Sequence, residues 1–191
     1  MKMNIFFSLG IVFIISSCDN SESTKQEQTK GKNQNIEDVK TGPINQLKIE
    51  ASRLRAGSFV KDVLLDGKKA IIVYVKDYNE YKEKNPQSII TESEFSSYWE
   101  SGNAIEKALI DGSVRIMKKL EFVQEVQIIL PFKDKKYSIN VSKIELEKFV
   151  GTDFNSMKEN WDKTFSNPYV YEKDGREKFF ERFGTVEEYV D

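Results

Sequence analysis

Apolar positions along the chain fall into three regimes. Ile5 to Ile15 are apolar except for Ser8 and Gly10, and Asp19 to Gly42 hold only Ile36 and Val39 as large apolar residues. From Pro43 to Asp191 apolar and polar residues recur with the periods of strands and helices, and the length suits one domain with a real core.

Ser58 to Leu65 and Lys68 to Val75 read as two strands, because Asp66 and Gly67 between them supply the positive φ angles of a tight hairpin. Ala70 to Val75 is apolar on both faces, which predicts a central strand covered on both sides. After a polar connection containing Pro86, Thr91 and Glu94 form a capping box that opens a short helix bearing Phe95, Tyr98 and Trp99. Ile105, Ala108, Leu109, Gly112, Ile116 and Leu120 recur at spacings of three and four, the row of a helix packed on a sheet. Gly112 in that row weakens the helix while permitting close approach to the sheet.

Glu125 to Leu130 and Lys136 to Val141 are two more strands, turned by Lys133, Asp134 and Lys135. Ser142 and Glu145 cap a helix that stops at Gly151. Helical pieces then span Phe154 to Trp161 and Arg176 to Phe183, with a break at Asn167 and Pro168. The predicted fold is α+β: a small antiparallel or mixed sheet in the order β-β-α-β-β, packed by helices, with an aromatic-rich helical C-terminal part.

The leading apolar run is too short for a bilayer span, which needs about 20 residues, and suits the h-region of a signal peptide. It ends in Ile15, Ser16, Ser17 and Cys18. This resembles the lipobox of bacterial lipoprotein precursors, a branched apolar residue and two small ones before a cysteine. In that family the thiol is alkylated with diacylglycerol, signal peptidase II cuts before it, and the new amino terminus is acylated. The resemblance implies lipidation of Cys18, with Ile15, Ser16 and Ser17 flanking the cut, and a protein held in the cell envelope at the inner or outer membrane. Cys18 is the only cysteine in the chain, so it has no disulfide partner within it. Residues 1–17 are then a signal peptide, 18–42 the lipidated cysteine and a tether too polar to offset its ordering entropy, and 43–191 the folded domain. A coil of about 24 residues has an r.m.s. span of roughly 25 to 30 Å.

The layout from Val60 to about Val141 resembles the GerM-type domain of bacterial envelope and sporulation lipoproteins, where a short strand pair precedes a helix that returns to a strand beside a small hairpin. Glu121, Phe122, Val123, Gln124, Glu125, Val126 and Gln127 carry most of the likeness. The aromatic C-terminal helices have no counterpart in it, and it transfers no catalytic residue.

Charge and residue usage narrow the chemistry. Without Lys2 the mature chain keeps 28 of its 29 basic residues against 31 acidic ones, a net of −3. Such a balance gives no basic stripe for a phosphate backbone, and nucleic acid is not an expected partner. There is no histidine, and Cys18 is committed to lipid, so Ser-His-Asp and Cys-His catalysis and His/Cys zinc sites are excluded within the chain.

Ser58 and Lys61 fit Ser-x-x-Lys, with Ser101 to Asn103 and Lys40 to Gly42 resembling the other elements of penicillin-binding enzymes. Lys-Thr-Gly comes first here instead of last, and residues three apart on a strand face opposite sides. Asp153 and Asn155 start like a calcium loop, but Met157 and the missing glycine make Asp153 a helix cap instead. No metal or cofactor is expected.

Two function classes follow. Glu100, Glu106 and Asp111 near Tyr98 and Trp99 are the carboxylates a small glycan-cleaving enzyme would use. The favoured class is a non-catalytic binding or envelope-assembly module with a protein or glycan partner. Its signal is the aromatic load of Phe149, Phe154, Trp161, Phe165, Tyr169, Tyr171, Phe179, Phe180, Phe183 and Tyr189. Most should be core, Phe149, Phe154, Trp161, Phe179 and Phe183 among them, covering the sheet. Adjacent Phe179 and Phe180 cannot both point inward, and Tyr169 and Tyr171 flank a break. Tyr169, Tyr171 and Phe180 are therefore the candidate partner-binding residues.

Overall fold

A computed structural model describes residues 42–101 and 103–189. The expectations for residues 1–17, for Cys18 and for the tether up to residue 41 lie outside the described residues.

Helix α1 (Pro43–Ser52) starts on a proline in its first turn and buries Leu47 and Ala51, four apart on one face. A 3-10 turn (Gly57–Phe59) leads into β1 (Val60–Asp66), which Gly67 at φ +57° joins to β2 (Lys69–Tyr74). Asp77 caps α2 (Tyr78–Lys84), and Thr91 with Glu94 forms the expected capping box of α3 (Glu92–Glu100). Helix α4 (Ala104–Lys119) buries Ile105, Ala108, Leu109, Gly112 and Ile116. β3 (Glu125–Phe132) and β4 (Lys135–Ser142) follow.

The Ser142 hydroxyl accepts the Glu145 N–H to start α5 (Lys143–Val150), which Gly151 closes at φ +77°. The Asp153 carboxylate accepts from the N–H groups of Asn155 and Ser156 and so caps α6 (Phe154–Glu159). A π-helical stretch (Asp162–Tyr171), α7 (Lys173–Phe183) and β5 (Gly184–Glu188) complete the order.

The five strands lie in sequence order, β1-β2-β3-β4-β5, with β2 and β3 parallel and every other pair antiparallel. The sheet is therefore mixed, and the fold is α+β. Ile72, Ile128 and Ile139 stand in register across β2, β3 and β4 and are fully buried. Helix α4 lies on this row, and a Cβ added at Gly112 would sit 2.9 Å from Ile128 Cδ1, so the glycine does let the helix approach the sheet closely.

Several expectations are corrected. β1 begins at Val60, and the preceding Ser58 belongs to the 3-10 turn. β2 is internal to the sheet but covered on one side only. Ile71 and Val73 are half-buried beside exposed Leu64, because their cover comes from neighbouring strands. The chain does not break at Asn167 and Pro168. A proline ring collides with the carbonyl four residues back in an α-helix, and the wider π-helical coil carries the chain past it. That coil closes when the Glu172 N–H donates to the Asn167 carbonyl at 2.9 Å. Finally, β5 adds an edge strand after the last helix.

Candidate functional site

The C-terminal aromatics divide by exposure. Phe179 is fully buried, with ring centroids of Phe149, Phe165, Tyr169 and Phe183 at 4.8 to 5.9 Å, mostly edge-on or tilted as aromatic quadrupoles favour. Phe154 and Phe183 are also buried, whereas Phe149 and Trp161 are half-buried. Of the three candidate partner-binding residues, Tyr169 is half-buried against Phe149 and Phe165, and Phe180 is half-buried with its ring against Gly184. Tyr171 is 55% exposed.

Tyr171 is exposed yet held at two points. Arg55, in the loop after α1, donates from Nη2 to the Tyr171 hydroxyl at 3.0 Å, and its guanidinium lies 5.8 Å from the ring. Arg176, on the first turn of α7 and 3% exposed, donates from Nη1 to the carbonyls of Val170 and Tyr171 at 3.4 and 3.2 Å. It thereby satisfies the carbonyls where the π-helical stretch ends. Its Nε donates to Glu106 at 2.9 Å, which neutralises a charge that would otherwise be costly to bury.

Asp111, in the middle of α4 and 4% exposed, fixes the arginines. Arg115, one helical turn on, donates to its carboxylate from Nη2 at 2.9 and 3.1 Å and from Nε at 3.2 Å. Arg55 Nε lies 3.6 Å from the same carboxylate and, itself buried, has no hydrogen bond. The Arg55 carbonyl in turn accepts the hydroxyl of buried Tyr74 at 2.8 Å, and burial holds that phenol protonated well above its ordinary range. Two guanidiniums thus share one carboxylate, leaving one positive charge beside an exposed tyrosine. Both arginine side chains remain more than a third open to solvent. Hydrogen bonding of an anionic or polar group next to an apolar contact is the chemistry this arrangement offers.

The three candidate carboxylates do not face one another. Glu100 pairs with Lys133 at 2.6 Å, Glu106 with Arg176 and Asp111 with Arg115. Glu106 and Asp111 sit five residues apart on α4, pointing to different sides. Glu100 lines a recess of about 380 Å³ with Trp99, Tyr137 and Asp134, but both acids there are exposed.

Among the described residues no group of three or more His, Cys, Asp or Glu is placed to hold a metal ion, and no described helix is long and apolar enough to cross a membrane. Cys18, Ile15, Ser16 and Ser17 lie outside the described residues. The roles of Arg55, Arg115 and Arg176 were missed in the sequence. The four-residue spacing of Asp111 and Arg115 on a predicted helix was a readable signal for one pair. Comparison with protein-family models, with curated proteins and with solved structures gave no match.

Proposed function

We propose that the protein is a lipid-anchored component of the bacterial cell envelope whose folded part works by binding, not by catalysis. The lipobox-like Ile15, Ser16, Ser17 and Cys18 support the anchor. One observation carries the binding reading: Tyr171 stands exposed between ordered arginines, whereas each candidate acid is engaged by its own cation. Tyrosine and arginine on a pre-ordered support make good contact residues, because little freedom is lost on association. The partner class that fits is an envelope protein presenting a carboxylate beside an apolar or aromatic side chain, since the Arg55, Asp111 and Arg115 group carries excess positive charge.

Cross-linking in the native cell tests this reading. The captured partner is identified first with the unaltered protein, and capture is then compared with Tyr171→Ala and Arg55→Ala. Either substitution should weaken capture by about thirtyfold, the effect of a 2 kcal/mol contact, with little change in melting temperature. Unchanged capture by both variants would remove the binding surface, and turnover of a glycan lost in Glu100→Gln or Glu106→Gln would favour the enzyme instead.

A further inference from the structure

The described domain begins at Gly42, at one end of the sheet. Helix α1 runs antiparallel to β1: its last residue, Ser52, lies against Gly57 just before β1, and Lys48 lines a recess with Asp62 and Val63. The nine residues from Ser52 back to Pro43 rise about 14 Å, the length of about four strand residues. The start of α1, and Gly42 before it, therefore lies toward the β1–β2 turn end of the sheet. The start of β3 and the end of β4 are at the same end, since Lys69 pairs with Glu125 and Glu125 with Ser142.

That end is rich in lysine, although the chain as a whole is slightly acidic. The Gln124 N–H bonds the Lys68 carbonyl at 2.8 Å and the Lys143 N–H bonds the Gln124 carbonyl at 2.9 Å, so these segments form one continuous edge. Lys118 and Lys119 end α4 beside it, and Lys143 and Lys158 reach Glu121 at 3.4 and 3.5 Å. The acids nearby are Asp66, Glu121, Glu125, Glu145 and Glu147, with Asp162 close to Lys118, and Arg182 holds Glu145 at 3.3 Å. Glu125 is tied to Lys69 and Glu121 to Lys158, whereas exposed Lys68 and Lys119 have no ion pair among the described residues. Ile144, two-thirds exposed, lines one recess with Lys68, Lys69 and Lys143. Burial, and to a lesser degree Lys158, lowers the pKa of Lys143, while Glu121 and Glu147 act against the shift.

We propose that this lysine-rich end is a membrane-docking face, held by the chain between Cys18 and Gly42 against the anionic phospholipid surface in which the lipid of Cys18 is inserted. This rests on the anchoring reading given above. A lysine near an anionic surface gains about fivefold in affinity, too little for a free domain to stay bound. A chain of about 24 residues holds the domain at millimolar effective concentration, where a few such contacts suffice. Ile144 adds an apolar side chain that enters the headgroup layer.

The test uses the lipidated full-length protein, reconstituted into phosphatidylcholine vesicles with or without about 30% phosphatidylglycerol, an anionic charge density like that of natural leaflets. Flotation reads the anchor, and acetylation of individual lysines, resolved by mass spectrometry, reads docking. The protein should float with both vesicles, while Lys68, Lys119 and Lys143 react about fivefold more slowly on the anionic ones, an effect lost as salt rises to about 0.5 M. In Lys68→Glu/Lys119→Glu the protection of Lys143 should disappear. In Lys84→Glu/Lys135→Glu, the same charge change near the opposite end, it should persist. Flotation with equal reactivity on both vesicles overturns the docking face and leaves the anchor standing. Failure to float with either vesicle removes the anchor and the docking face together.

Discussion

Phe179→Ala should destabilise the domain by about 3 to 5 kcal/mol, a large part of the 5 to 15 kcal/mol that usually holds a domain folded. Phe179 is fully buried and touches rings from α5, the π-helical stretch and α7, so its loss leaves a cavity walled by side chains on three elements. Those elements cannot all close inward at once. The tight contact between α7 and the π-helical stretch limits collapse further, because a Cβ at Gly175 would lie 1.8 Å from the Pro168 carbonyl oxygen. Urea denaturation gives the value directly. A loss below about 1 kcal/mol would mean that the aromatic cluster is not the packing unit of the C-terminal part.

Arg176→Ala should be comparably costly, at about 3 kcal/mol or somewhat more, for a different reason. It strands the Glu106 carboxylate and the carbonyls of Val170 and Tyr171, which Arg176 now satisfies. Glu106 is about a third exposed, so water recovers part of its loss and the lower end of the usual range applies. Removing both charges in Arg176→Met/Glu106→Leu should restore much of the stability, because well-packed apolar groups replace buried ion pairs at little cost. Tyr171 would also lose one of its two restraints. The single substitution should therefore weaken partner capture in the cell even where the protein remains folded. A double variant as unstable as Arg176→Ala would show that packing of the arginine stem, not stranded charge, dominates.

Most of the sheet was legible because its signals are local. Asp66 and Gly67 mark the first hairpin, and the row from Ile105 to Ile116 lies along α4, with Leu120 just past its end and every position buried, Gly112 included. What escaped depends on distant partners. Gly184 to Glu188 is short, polar and mostly exposed, and only its pairing with β4 makes it a strand. The parallel register of β2 on β3 is set by how α2, α3 and α4 return the chain, which no local pattern encodes. α1 is a different case: Ile44, Leu47 and Ala51 carry helical spacing after Pro43, a local signal in a short segment.

The binding surface shows the same division. Tyr171 flanks the expected break, and it is the exposed member of the three aromatics. Its setting was invisible, since Arg55 lies 116 residues away in the chain and Arg176 becomes a buried residue only when α7 meets α4. A charged side chain reads as surface until its partners are known.

Intact-mass measurement of the protein extracted from the membranes of its native cell is the most direct test of the proposed anchoring. The predicted species begins at Cys18 and carries a diacylglyceryl group on the thiol, with Cys18→Ala yielding no lipidated chain. A mature protein that retains residues 1–17, begins at another residue, or carries Cys18 without lipid would contradict the proposal.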